Sequence, residues 1–244
     1  MSQPAMRLEM LADGIAVLTF DLPGAKLNTL GFNTMTELND IIERLKGNKA
    51  VTGFVITSGK QDSFIAGADV TEIQAIQNRS LEEAYDASQL GKEIFAKLAG
   101  LPFNTVAAIN GICLGGGTEL ALACKYRLAA DSAKIGLPEI KLGFVPGWGG
   151  CVRLPRLIGL MASLDLILTG KIIEAKKAWK LRLVSEVVKS AELRERAIAV
   201  ARSGRAKTYR PGIKQQVMSL LLEKNGLGRM IVHDQAFKAM MRES

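Results

Sequence analysis

Repeated β–β–α units in an α/β architecture are what the sequence predicts, on three observations. Short runs dense in β-branched and apolar residues recur along the chain. Glycine-rich turns follow them, and longer stretches with apolar residues three and four apart return the chain between them. The strands do not alternate one-to-one with helices, so paired strands describe the spacing better than strict β–α–β order.

Taken in order, Gly14 to Phe20 (GIAVLTF) reads as a strand, and Leu22 to Leu30 is turn-rich. From Phe32 to Lys46, apolar residues at Met35, Leu38, Ile41, Ile42 and Leu45 predict an amphipathic helix. Gly53 to Thr57 is a short buried-type strand. After it, Ala66-Gly67-Ala68 precedes Asp69, a helix N-cap type with Glu72 three residues on, which predicts a capping box and a short helix. Leu81 to Leu98 is a long helix stopped by Gly100 and Pro102. Thr105 to Ile109 and Tyr126 to Ala130 are strands flanking a glycine-rich turn and helix. Beyond Leu157 the chain reads mainly helical, with one strand-like run at Val184 to Val188.

The stretch from Asn110 to Cys124 (NGICLGGGTELALAC) concentrates the chemistry. Three glycines at 115–117 open an apolar helix, and Glu119 lies two residues into it. The first turn of a helix carries unpaired N–H groups and a partial positive charge. Such a turn can offer a donor to a developing oxyanion and place a carboxylate beside it, which suggests chemistry on a carbonyl compound. Glu near a helix start is also favourable in its own right, and glycine clusters often serve close packing alone. A membrane helix here is disfavoured, because lipid would leave Asn110 and Glu119 unsatisfied.

Composition bounds the rest. With 244 residues, 48% hydrophobic and 23% charged, the chain matches an ordinary globular protein of one main domain. The start, MSQPAMRLEMLADG, lacks the basic-then-apolar pattern of a secretory signal. Cys113, Cys124 and Cys151 form no C-x-x-C pair, so reduced thiols acting as small apolar fillers in a cytoplasmic compartment are expected. His233 is the single histidine, and zinc-finger spacing is absent, so no metal is expected. Residues 171–244 hold 17 Lys/Arg against 7 Asp/Glu. A solvated helical face is the commoner origin of such a bias, with nucleic-acid binding through Lys176, Lys177, Lys180 and Arg182 the alternative.

No G-x-x-x-x-G-K-[ST] loop, G-x-G-x-x-G fingerprint or G-x-S-x-G elbow is present. Two glycine-bearing loops and two carboxylates, Glu119 and Glu139, remain. Together they could stabilise an enolate and move protons beside it, though spacing alone does not bring them together.

Phe64-Ile-Ala-Gly-Ala-Asp69, Asn110-Gly-x-x-x-Gly-Gly-Gly-x-Glu-Leu120 and Gly136-Leu-Pro-Glu-x-Lys-Leu-Gly143 resemble the three signature segments of the crotonase (enoyl-CoA hydratase/isomerase) family. Pro146-Gly-Trp-Gly-Gly150, Arg153-Leu-Pro155 and Leu168-Thr-Gly170 extend the likeness from about residue 14 to about residue 190. Trp148 and the run around it are similar to one branch, the N-terminal hydratase domains of multifunctional fatty-acid oxidation enzymes.

The resemblance implies a superhelix of β–β–α units over residues 1–190 and a helical C-terminal region over 191–244, truncated before a dehydrogenase if the branch holds. It implies reversible hydration of trans-2-enoyl-CoA, with enoyl-CoA isomerisation as the neighbouring reaction. The amides of Ala68 and Gly116 would form the oxyanion hole. Glu119 and Glu139 would hold the water, Glu139 delivering the proton to C2. Coenzyme A, part of the substrate rather than a cofactor, would lie along Lys26, Leu27, Ala66, Gly67, Asp69 and Val70. Stand-alone members imply trimers or hexamers, and the multifunctional branch implies a thiolase partner. Where the family pattern has Gly-Leu-Val, this chain has Arg182-Leu-Val, at a place where glycine suits a left-handed helix end. Trp148 and Trp179 are open between acyl-pocket wall and core packing.

Overall fold

The computed structural model describes residues 3–77 and 80–210. It opens on an antiparallel pair, β1 (Met6–Met10) and β2 (Ile15–Phe20). Helix α1 (Phe32–Gly47) then leads to β3 (Gly53–Ser58), β4 (Ser63–Ile65), α2 (Val70–Gln77) and α3 (Leu81–Ala99). The second unit is β5 (Asn104–Ile109), β6 (Ile112–Leu114) and α4 (Gly116–Ala123). The third is β7 (Tyr126–Ala130), β8 (Lys134–Gly136), a 3-10 turn at Glu139–Leu142 and α5 (Gly150–Ile158). There follow α6 (Leu160–Thr169), β9 (Ile172–Glu174), α7 (Ala175–Lys180), β10 (Glu186–Val188) and α8 (Leu193–Ser203).

The strands divide between two sheets. One has the order β1-β2-β3-β5-β7-β10 and the other β4-β6-β8-β9. Within each unit the first strand joins the larger sheet and the second joins the smaller. Successive units stack in parallel, β3 on β5 on β7 and β4 on β6 on β8. This is the superhelix of β–β–α units expected. Every turn from the small sheet into a helix therefore falls on the same side of the stack.

Period-two alternation decides what the large sheet buries. Ile15, Val17, Val55, Val106, Ala108 and Leu128 face α8 through Ala197, Val200 and Ala201. The alternate residues, Ala16, Leu18, Phe54 and Ile56 among them, face the larger core under α1, α3 and α4. Helix α1 sinks the apolar positions read from sequence, Met35, Leu38, Ile41, Ile42 and Leu45. Each such side chain stabilises by roughly 1.5–3 kcal/mol, which holds this helix on the core.

Several boundaries differ from expectation. Strand β1 has a single buried residue, Met6, so its sequence carries no alternation to detect. The small sheet consists of three-residue strands, too short to show a period. The run at Val184–Val188 is strand only from Glu186, because Val184 still belongs to the helix-exit turn and its N–H reaches Ala178 O. The capping box at Asp69 is half formed. Asp69 Oδ1 accepts from the N–H groups of Thr71 and Glu72, at 2.9 and 3.3 Å. Glu72 turns instead to the start of α1, where its Oε2 accepts from Phe32 N at 2.8 Å, while Asp69 N donates to Leu30 O. Arg182 is the non-glycine residue with positive φ among the described residues, at 65°, so the left-handed helix end persists without its glycine. His233 and most of the 191–244 region lie outside the described residues.

Candidate active site

Two turns from small-sheet strands into helices meet here. After β4, Leu30 and Ala68 form an isolated parallel bridge, in which Leu30 N donates to Gly67 O and Asp69 N to Leu30 O. In a parallel bridge the alternate residue faces the other way, so the N–H of Ala68 is directed away from Leu30. After β6, Gly115 takes φ 51° and ψ −125°, a conformation closed to ordinary side chains, and begins α4. Gly116 is the first helical residue, whose N–H has no acceptor within its own helix. The loops adjoin: a methyl group at Gly115 would stand 3.7 Å from Gly67 Cα. The two amides expected of an oxyanion hole therefore occupy neighbouring turns.

Glu119 is buried in the first turns of α4. Its Oε1 accepts from Trp148 N at 2.8 Å and from Gly150 N at 2.7 Å, so the carboxylate also caps α5. Burial pushes its carboxyl above the ordinary range, opposed by those two amides and by the positive charge of Arg153.

Glu139 reaches the same place from the 3-10 turn after β8. Its Oε1 lies 3.3 Å from where a methyl group on Gly115 would sit, and its Oε2 is buried without a hydrogen-bond partner among the described residues. Burial, reinforced by the negative charge of Glu119, raises it from 4.5 to about 7. The stack thus brings together four residues that sequence spacing could not: Ala68, Gly116, Glu119 and Glu139.

A cleft of about 900 Å³ opens alongside, between α1, α2 and α3. Leu30, Phe32, Met35, Ala68, Leu90 and Trp148 line its apolar part. Neither carboxylate is among its lining residues, whereas the Trp148 indole, whose peptide N–H holds Glu119, is. Trp148 is half-buried, with Phe95 edge-on at 5.8 Å.

The residues assigned to coenzyme A lie along one track. Lys26 and Leu27 are exposed, and the strand-like 28–30 segment runs beside 66–69, with Ala66 N donating to Asn28 O at 2.8 Å. Gly67 and Ala66 are within that track, and Val70 begins α2. Asp69 is engaged as the cap of α2. Sequence reasoning missed Asn28, which pins the whole loop. Its Nδ2 donates to Phe20 O, Ser58 Oγ and Phe64 O, and its Oδ1 accepts from Leu22 N. Buried Arg127 was missed as well. It donates to Cys124 O at 2.6 Å and to Leu183 O at 2.8 Å, securing the far end of α4. A lone Asn in a turn and a lone Arg in a strand give no local signal of either role.

Cys113 and Cys124 are buried apolar fillers, and burial pushes both thiols up to about 12. Cys151 is a correction: it is exposed, in the first turn of α5, where its thiol donates to Pro146 O. Trp179 contacts Tyr209 edge-on at 5.0 Å, and its Nε1 donates to Lys207 O; it is not among the residues lining the cleft. Lys176, Lys177, Lys180 and Arg182 are all exposed on and after α7. No helix among the described residues is long and apolar enough to cross a membrane.

Fold and sequence define one class: the chain belongs to the enoyl-CoA hydratase/isomerase family, whose profile matches residues 11–222. Within it, the chain is 46% identical over 234 residues to the fatty acid oxidation complex subunit alpha of Shewanella amazonensis, covering 95% of this chain and 33% of that one. The corresponding subunit of Shewanella frigidimarina is 44% identical, over 95% of this chain and 32% of that protein. The chain spans about a third of the length of these relatives. Among solved structures, an enoyl-CoA hydratase from Bacillus anthracis superposes with a TM-score of 0.76 at 29% identity, covering 98% of this chain and 92% of that one. The branch expected from the run around Trp148 is the one these curated relatives carry.

Proposed function

We propose that this chain hydrates trans-2-enoyl-CoA to the 3-hydroxyacyl-CoA, reversibly, in fatty-acid β-oxidation. The observation that carries the reading is the pair of buried carboxyls on and beside the turn at Gly115 and Gly116, one anchored by two amides and the other with an oxygen unpaired among the described residues. The thioester oxygen accepts from the amides of Ala68 and Gly116, which take up charge as the enolate forms. Preorganised donors of this kind are worth roughly 3 kcal/mol of barrier each. Glu119, whose amide donors and Arg153 favour its charged form against burial, takes a proton from water attacking C3 when ionised. Glu139, raised to about 7, keeps its proton in about half of the molecules at neutral pH, and that protonated form gives it to C2. One proton shared by the pair runs the reaction in either direction.

Coenzyme A enters as part of the substrate, along Lys26, Leu27 and the 66–70 segment, with no separate cofactor in the scheme. The relatives are subunits of a complex, so a thiolase subunit is the proposed partner if this chain belongs to such a protein. A self-assembled trimer or hexamer is the alternative.

Loss of the enoyl-thioester absorbance of crotonyl-CoA tests the reading. Wild type is expected to turn over, and Glu119→Gln and Glu139→Gln to fall about 10²-fold or more, the usual contribution of a positioned acid or base. Equal inertness of wild type and both variants would sink it. If Glu119→Gln instead keeps full activity on a 3-enoyl-CoA, the chain is an isomerase needing one carboxylate.

A further inference from the structure

We propose that the Trp148 indole, seated between Gly91 and Gly116, is the wall that sets which acyl chains reach the carboxylates. The inference rests on the hydration reading and adds the substrate class. The ring is received by a glycine at each end. A methyl group on Gly116 would stand 2.6 Å from Cζ3, and one on Gly91 would overlap Cδ1 and Nε1. Real side-chain carbons do not approach so closely, so any larger residue at 91 or 116 would displace the ring. Gly91 belongs to α3 and Gly116 to α4, which makes the indole a bridge across the gap between these helices. Phe95, one turn along α3 from Gly91, meets the ring edge-on at an interplanar angle of 89° and fixes its tilt.

Position gives the bridge its consequence. The peptide N–H of Trp148 holds Glu119, while its ring lines the 900 Å³ cleft. A thioester held by the amides of Ala68 and Gly116 places C2 and C3 at the carboxylates. Carbons beyond C3 then run toward the indole, and only past it does the cleft give room for a long tail. The cleft is apolar within and carries Asp69, Glu72, Glu83, Asp86 and Glu93 around it, so it suits an uncharged hydrocarbon and repels a terminal carboxylate. With the indole seated, short enoyl chains fit and long ones meet the ring.

The test compares wild type, Trp148→Phe and Trp148→Ala. Hydration kcat/KM is measured for crotonyl-CoA and 2-dodecenoyl-CoA, and calorimetric Kd for butanoyl-CoA and dodecanoyl-CoA. The ratio of long to short is the readout, since general damage to the fold lowers both. It is expected to rise about tenfold or more in Trp148→Ala, with Trp148→Phe between, as expected when several methylenes gain a pocket. A ratio that stays unchanged, or one that falls because the ring was supporting long tails, overturns the proposal. Binding selectivity that shifts without turnover in any variant keeps the wall and rejects the hydration reading. Absence of binding to both saturated thioesters, with no turnover of either enoyl-CoA, rejects both.

Discussion

Glu119 stands in a regular helix, and Glu139 on a single 3-10 turn, and their surroundings differ accordingly. Helix α4 delivers Glu119 to the start of α5, where two backbone amides converge on one oxygen. Glu139 comes beside Gly115 with a buried oxygen that no donor among the described residues meets. Both carboxyls are pushed up by burial, but the forces acting against that push are unequal. Amides and Arg153 favour the charged form of Glu119, whereas Glu119 itself disfavours the charged form of Glu139. The lesson is that two like residues acquire opposite duties from the elements that carry them, one stabilising the fold and one straining against it.

Thermal unfolding of single variants at two pH values breaks this comparison most directly. Glu119→Ala strands the N–H groups of Trp148 and Gly150, and each stranded donor costs about 1–3 kcal/mol. A drop in Tm is expected, largest at acid pH, because burial pushes the Glu119 carboxyl up as well and its ionisation costs the folded state. Glu139→Gln should do the reverse, and only above acid pH. Its folded pKa of about 7 lies above the ordinary 4.5, so the folded state binds the proton more tightly than the unfolded state. The wild-type contribution is fully present below pH 4.5 and is lost as pH rises through about 7. Glu139→Gln therefore gains on wild type across that window, by up to about 3 kcal/mol at pH 8, and matches it near pH 4. Equal behaviour of the two variants would erase the distinction.

A smaller effect sharpens the contrast between site and scaffold. Arg182 pays for a left-handed conformation in the turn after α7, at φ 65°. The turn is otherwise well made, with Arg182 N donating to Trp179 O and Leu183 N to Ala178 O. Arg182→Gly is expected to raise stability by about 1 kcal/mol in chemical denaturation, with kcat on crotonyl-CoA unchanged. A loss of stability would mean that the Arg182 side chain makes a contribution the turn geometry does not reveal.

How much of this was legible follows from length and distance along the chain. Helices α1 and α3 and strands β2, β3, β5 and β7 each run long enough to display a period, and all were readable. The small sheet was not, because its strands place only three residues each, and their partners lie some twenty to fifty residues away in sequence (Ile112 on Lys134 and Ser63 on Ile112, for example). The motif segments around Ala68, Gly116, Glu119 and Glu139 were visible, but their convergence depends on that unreadable sheet. The slot for Trp148 depends on Gly91, a glycine in the middle of an ordinary-looking helix. Mid-helix glycine costs about 1 kcal/mol against alanine, which was the signal available that something packs closely there.

The unequal division of one proton between the two carboxyls is tested most directly by following the Glu139 carboxyl carbon through a pH titration with 13C NMR. It is expected to titrate at about 7 in wild type and to fall in Glu119→Gln, where the neighbouring negative charge is gone. Titration at the ordinary 4.5, unmoved by that substitution, would contradict the account.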